Sequence, residues 1–186
     1  SLRKVGNTTL TLTGASTFTG ETHIAQGTLT LGANGALGPD QRNGAAAVNS
    51  AVIIGELGTL TLNNFNQRIG SLAGAGTLTL GTGMLVVGGN NTNTTFTGVI
   101  STTGAGALGT AGNGHLVKEG TGTLTLGGAT SNNSGRAVVN AGTLVLDKAS
   151  DNTSVQALSA GTGVVSLQIN NGGTVRIAGT GPSQIG

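Results

Sequence analysis

The chain has 186 residues, of which 36 are glycine, while aromatic residues make up 2% and charged residues 8%. Eight basic and six acidic residues give a formal net charge of +2, and without clustered basic and aromatic residues we expect no nucleic-acid partner. The absence of cysteine excludes disulfide bonds and thiolate metal sites, and an apolar fraction of 36% argues against a disordered linker.

Short strands are predicted by a five-residue unit, Gly-Thr-Leu-x-Leu, which recurs in strict or slightly varied form. In chain order the unit opens at Thr8, Gly27, Gly58, Gly76, Gly83, Gly122, Gly142 and Gly173. Polar and apolar residues alternate within it, as in a strand with one buried face. We therefore expect the threonines to be exposed and the leucines to be buried, namely Leu10, Leu12, Leu29, Leu31, Leu60, Leu62, Leu78, Leu80, Leu124, Leu126, Leu144 and Leu146.

Segments rich in glycine and asparagine, such as 32–35 and 88–91, separate the strands and predict tight turns. The units open 19, 31, 18, 7, 39, 20 and 31 residues apart. A period of about 20 residues is typical of solenoids, in which each coil stacks on the previous one. We predict a single all-β segment over residues 1–186, a right-handed parallel β-helix (β-solenoid) of short stacked strands.

The chain also contains an internal duplication. Residues 4–31 align with residues 118–146 when one residue is inserted. The first copy contributes Lys4, Gly6, Leu10, Leu12, Gly14, Gly20, Gly27 and Leu29, which align with Lys118, Gly120, Leu124, Leu126, Gly128, Gly135, Gly142 and Leu144. So many coincident positions indicate a repeated unit rather than an effect of composition.

The duplicated residues resemble the passenger-associated transport repeat of autotransporters, the self-exporting surface proteins of Gram-negative bacteria. The family pattern is matched by Lys4, Gly6, Leu10, Leu12, Gly14, Phe18, Thr19, Gly20, Thr22, Ile24, Gly27 and Leu29. Ser16 and Thr8 depart from it, standing where the family has asparagine and glycine. The resemblance implies export across the outer membrane to the cell surface or the medium, with the protein's own C-terminal outer-membrane β-barrel as partner. We expect this chain to be a fragment of such a passenger, without the barrel.

Few residues offer catalytic or ligand-binding chemistry. The acidic residues are Glu21, Asp40, Glu56, Glu119, Asp147 and Asp151, and the histidines are His23 and His115. Only Asp147 and Asp151 lie close together, in a predicted turn, and isolated histidines make neither a metal site nor a catalytic triad. We therefore predict that the chain is not an enzyme and has no catalytic, cofactor-binding or metal-binding residues and no cofactor.

These observations favour a mechanical function, that of a surface-exposed stalk or adhesive segment. A rigid β-helical rod would aid its own export and display binding regions, with a host surface or another passenger copy as partner. One alternative is a self-associating module for cell–cell aggregation, and another is a β-helical glycan-active enzyme. The coils near Leu10 and Ile24, and near Val164 and Val175, are expected to present uncovered edges that make end-to-end contacts between copies at high concentration or in a crystal.

Overall fold

The computed structural model describes residues 1–38, 50–102, 114–130, 132, 136–149 and 167–179. The regular secondary structure in this part of the chain consists of β-strands. No helix there is long and apolar enough to span a membrane. In chain order the strands are β1 (Leu2–Lys4), β2 (Thr9–Leu12), β3 (Thr22–Leu31), β4 (Ala51–Thr61), β5 (Gln67–Ile69), β6 (Ser71–Gly74), β7 (Thr77–Gly81), β8 (Met84–Val87), β9 (Thr94–Phe96), β10 (Val99–Thr102), β11 (His115–Lys118), β12 (Thr123–Gly128), β13 (Arg136–Val139), β14 (Gly142–Lys148), β15 (Leu167–Ile169) and β16 (Gly173–Ile177).

The described strands form two sheets, and the pairings in both are parallel. The first sheet follows the order β1-β3-β4-β6-β9-β12-β14-β16, with β2 beside β3 and β7 between β4 and β10. The second sheet follows β5-β8-β11-β13-β15. From β11 to β16 the chain alternates strictly between the two sheets. Alternation with parallel pairing means that each coil stacks on the previous one, which confirms the predicted all-β solenoid.

The interior is filled by rows of aliphatic side chains, one from each successive strand. In the first sheet Leu29 pairs with Leu60, Leu60 with Leu78, and Leu78 with Ile100. All four side chains are fully buried, and each such burial stabilises the fold by about 2 kcal/mol. Ten of the twelve leucines predicted to be interior are 0–1% exposed. The alternation in the five-residue unit therefore identifies the core correctly in all but the first copy.

The prediction is wrong for Leu10, which is 38% exposed, and Leu12 is only partly buried. Among the described strands, β2 pairs with β3 alone, so these leucines are covered from one side only. Ile24, expected at an uncovered edge, is fully buried. Its strand is also paired with β1, which places Lys4 opposite Ile24 and supplies a second neighbour.

At the other end of the stack, β16 pairs with β14 alone among the described strands. Ile177 is 60% exposed there, and Val175 is partly buried against the core. Val164, named with them in the sequence analysis, lies outside the described residues. The expected contacts between copies at these edges remain a prediction.

The threonines between the leucines form two outward-facing rows, which we call the threonine rows. Pairing places Thr28, Thr59 and Thr77 in one row, and Thr30, Thr61 and Thr79 in the other. These threonines are half-buried rather than exposed as predicted, whereas Thr9 and Thr11 in the first copy are exposed. A threonine with a like neighbour in the coils above and below loses part of its solvent contact to them, which an alternation pattern does not reveal.

Gly142 opens its unit in a conformation that only glycine adopts readily, with φ at 66°. An added Cβ would overlap the carbonyl oxygens of Gly120 and Gly122 in the neighbouring coil. We expect Gly142→Ala to lower the free energy of unfolding by about 2 kcal/mol or more, since both backbone strain and overlap oppose it. Gly14→Ala is the matched control, because Gly14 has no atom near its Cβ position. Equal midpoints for the two variants in urea denaturation would contradict this account.

Candidate functional site

The acidic residues and histidines do not converge on one site in the described part of the chain. No group of three His, Cys, Asp or Glu side chains there is placed to hold a metal ion. The exposed acids are Glu21, Glu56 and Asp147, and the half-buried histidines are His23 and His115. Asp40 and Asp151 lie outside the described residues. Glu119 differs from the other acids because it is half-buried and paired with Arg68 on the second sheet.

The outer face of the second sheet carries a row of valines. Val86 pairs with Val117, which pairs with Val138. Their strand neighbours Leu85 and Leu116 belong to the core, so the valines point to the opposite face, because side chains alternate along a strand. Val86 and Val117 are nevertheless only 8% and 7% exposed. Surrounding side chains therefore shield this apolar row from much of the solvent.

The valine row is the floor of a groove with a volume of about 340 Å³. Strand register places Met84 two residues before Val86 and beside Asn66, so these two side chains line one edge. Glu119 and Asn140 follow Val117 and Val138 by two residues, just beyond the ends of β11 and β13, and line the other edge. The groove thus has an apolar floor between edges that carry polar groups.

An ion pair lies at one end of the groove. Arg68 pairs with Val86 in register, and its Nη2 donates a hydrogen bond to Oε2 of Glu119. The pair crosses β8, which lies between β5 and β11 in the sheet. Because the side chains are 30% and 24% exposed, the contribution to stability is about 0.5 kcal/mol. The two charges also cancel, so the residues that line the groove have no net charge.

Hydrogen bonds between coils fix the two asparagines at the edges of the groove. Oδ1 of Asn66 accepts a hydrogen bond from the Met84 backbone N–H at 2.8 Å. Oδ1 of Asn140 accepts one from Nδ2 of Asn170 at 2.7 Å. Each amide is thereby held in one orientation, with a planar NH₂ donor on the same side chain. Groups held in this way need little further ordering when a ligand binds.

Comparison with known proteins gives two matches. Residues 2–31 and 116–146 match the family described as Passenger-associated-transport-repeat. The chain is also 32% identical over 188 aligned positions to the Adhesin BmaC autotransporter of Brucella suis biovar 1 (strain 1330). The chain is an autotransporter passenger segment. As such it is exported across the outer membrane, to the cell surface or the medium. The alignment covers 98% of the passenger segment and 5% of the relative, and no solved structure matches the segment.

The passenger segment contains three lysines, and all three are buried in the folded chain. Exposure is 5% for Lys4, 1% for Lys118 and 0% for Lys148. Lysine is almost never fully buried unless its ammonium group has partners, and the burial of these lysines was not predicted from the sequence. The alignment of the two copies could have indicated a structural role for these lysines, because Lys4 and Lys118 occupy the same position in both.

In the first copy the lysine joins a turn to the next coil. Nζ of Lys4 donates to the carbonyl oxygens of Val5 at 2.9 Å and Gly6 at 2.6 Å. It also donates to the carbonyl oxygen of Gln26 at 3.1 Å, 22 residues further along the chain. One ammonium group thus donates to carbonyl groups of two coils and links them.

The second copy repeats this arrangement. Nζ of Lys118 donates to the carbonyl oxygens of Glu119, of Gly120 at 3.0 Å and of Ala141 at 3.3 Å. Burial lowers the pKa of Lys118, while the neighbouring Glu119 carboxylate acts in the opposite direction. The same three contacts in both copies show that the repeat lysine is a structural element of the coil rather than a binding residue.

Lys148 lies outside the matched stretches but is also buried. Its Nζ donates to the carbonyl oxygen of Gly98 at 2.9 Å, 50 residues earlier in the chain. Burial lowers its pKa to about 8, because transfer of an ammonium group from water to the interior disfavours the charged form. The passenger segment therefore contains a buried amine whose pKa is about 8.

Proposed function

We propose that the passenger segment is a rigid, non-enzymatic part of an adhesive passenger, serving as a stalk that carries binding regions away from the cell. The observation that supports this most is the unbroken parallel pairing, which runs through eight strands from β1 to β16 along the first sheet. Stacked coils joined in this way resist bending, because each coil contributes a full set of backbone hydrogen bonds to its neighbours.

The similarity to a protein named an adhesin supports the adhesive part of the proposal. In the full-length protein we propose a C-terminal outer-membrane β-barrel as the partner within the chain and a host surface as the external partner. The scattered acids of the described residues favour a binding role over glycan cleavage, which needs paired carboxylates about 5–10 Å apart. Stacking of coils during export would help to draw the passenger outward.

Removal of residues 1–186 from the full-length passenger tests the stalk role. We expect the rod seen by electron microscopy to shorten by roughly 30–45 Å, because the eight strands stacked along the first sheet lie about 4.8 Å apart, while the remaining chain still reaches the cell surface. A rod of unchanged length would contradict the proposal. Sedimentation of the purified segment over a range of concentrations addresses the alternative of self-association, which predicts oligomers at low micromolar concentration where a stalk remains monomeric.

A further inference from the structure

We propose that the groove on the outer face of the second sheet binds a neutral oligosaccharide of two or three sugar units. Its floor is Val86, Val117 and Val138, and its edges carry the side chains of Asn66, Glu119 and Asn140. This inference rests on the proposed adhesive role and deepens it by naming the ligand class. The reasons lie in the backbone, the charge and the hydrogen-bonding groups of the groove.

The backbone beneath the groove is already fully engaged in the sheet. β11 pairs with β8 on one side and with β13 on the other, over His115 to Lys118 in both cases. A peptide cannot add a strand here, because strand addition needs a free sheet edge. A peptide lying across the valines would instead bury its own amide groups without partners, at a cost of about 1–3 kcal/mol each. A ligand must therefore be recognised through side chains.

The charge of the groove favours a neutral ligand. Arg68 and Glu119 are the charged residues that line it, and they are paired with each other. An anionic ligand would have to displace the carboxylate from the guanidinium group, and a cationic ligand would have to do the reverse. Either exchange replaces one ion pair by another and gains little. Strongly charged ligands, such as sialylated glycans or polyamines, are thus disfavoured.

The pattern of hydrogen-bonding groups favours hydroxyls. Arg68 is a donor, the Glu119 carboxylate is an acceptor, and Asn66 and Asn140 carry both kinds of group. A hydroxyl donates and accepts, so a sugar can satisfy any of these groups in either orientation. Sugar rings also have a face of C–H groups that suits the valine floor. An alkyl chain would cover the floor but would offer no hydrogen-bonding group to the polar edges.

The dimensions fit a short oligosaccharide. Three valines on adjacent parallel strands span about 10 Å, given roughly 4.8 Å between strands. A volume of about 340 Å³ lies at the lower end of the usual range for ligand pockets.

Ligand-observed NMR and calorimetry on the 186-residue chain test the proposal. The probes are lactose, cellobiose, maltose and diacetylchitobiose as neutral sugars, with 3′-sialyllactose as the anionic comparison and an aliphatic tetrapeptide as the peptide comparison. We expect millimolar or tighter binding of at least one neutral sugar, weakened at least tenfold by Asn140→Ala and by Val117→Thr. The second substitution keeps the side-chain shape while making the floor polar.

Thr125→Ala provides the matched control, since Thr125 is half-buried on β12 in the other sheet. It should leave sugar binding unchanged, and circular dichroism should confirm that all three variants fold. The proposal is overturned if no neutral sugar binds, if the sialylated sugar or the tetrapeptide binds more tightly, or if both groove variants bind as well as the parent chain. Loss of rod length and cell adhesion on deletion of the segment, without sugar binding, would overturn this inference alone and leave the stalk role standing.

Discussion

Replacement of Lys118 by alanine is expected to lower the free energy of unfolding by about 3 kcal/mol, as measured by urea denaturation. The ammonium group donates to the carbonyl oxygens of Glu119, Gly120 and Ala141. Alanine leaves these acceptors without their donor, and it also opens a cavity where the buried alkyl chain lay. The variant should therefore lose a hydrogen-bond contribution and a packing contribution together.

Two further variants separate these contributions. Lys118→Met keeps most of the side-chain volume without a donor, so its stability should fall between that of the alanine variant and that of the parent chain. Arg176→Ala removes an exposed cation from β16 and should change stability by less than about 0.5 kcal/mol. If Lys118→Ala were as stable as Arg176→Ala, the lysine contacts would have no structural role.

The second large effect is a dependence of stability on alkaline pH that originates at Lys148. Its pKa is about 8 in the folded chain and about 10.4 in the unfolded chain. Between these values the unfolded state binds more protons than the folded state, so stability rises with pH. The gain should approach about 3 kcal/mol between pH 8 and pH 10.5, and the dependence on pH should disappear well below pH 8, where Lys148 is protonated in both states.

The chain is well suited to this measurement because it contains no tyrosine and no cysteine, the other side chains that titrate in the same range. Lys118 also has a lowered pKa and adds to the trend in the same direction. Lys148→Met should therefore reduce the rise to the part contributed by Lys118. Thermal unfolding at several pH values provides the readout. If the stability of the parent chain stayed constant or fell as the pH rose, the pKa of Lys148 would not be lowered in the folded chain.

The fold could be predicted because it depends on a local pattern repeated many times. The alternation in each copy of the five-residue unit indicates which strand face is buried. Because like units pair with each other, the buried positions of neighbouring strands coincide, as for Leu29, Leu60 and Leu78. The exception at Leu10 has a physical cause, because burial there depends on how many neighbouring strands are present. The anomalous spacing of 7 between Gly76 and Gly83 also has an explanation, since their strands β7 and β8 belong to different sheets.

The groove could not be predicted in the same way, because it depends on the register between coils. Arg68 and Glu119 are 51 residues apart, and nothing near either residue in the sequence indicates the other. Val86 and Val117 look like core residues from hydrophobicity alone. Only the pairing of β5, β8 and β11 shows that these side chains share an outer face. A repeat pattern thus predicts which way a side chain points better than it predicts which residues lie beside that side chain.

Burial of every lysine has a consequence for how this segment meets the chemistry outside the cell. Lys4, Lys118 and Lys148 are at most 5% exposed, so trypsin-like proteases can use only arginine sites while the coils remain stacked. Aldehydes and amine-directed crosslinkers will likewise find no accessible lysine until the chain unfolds. The contacts that join the coils therefore also withdraw the lysines from proteases and from amine-directed reagents, and leave the arginines as the sites for trypsin-like cleavage.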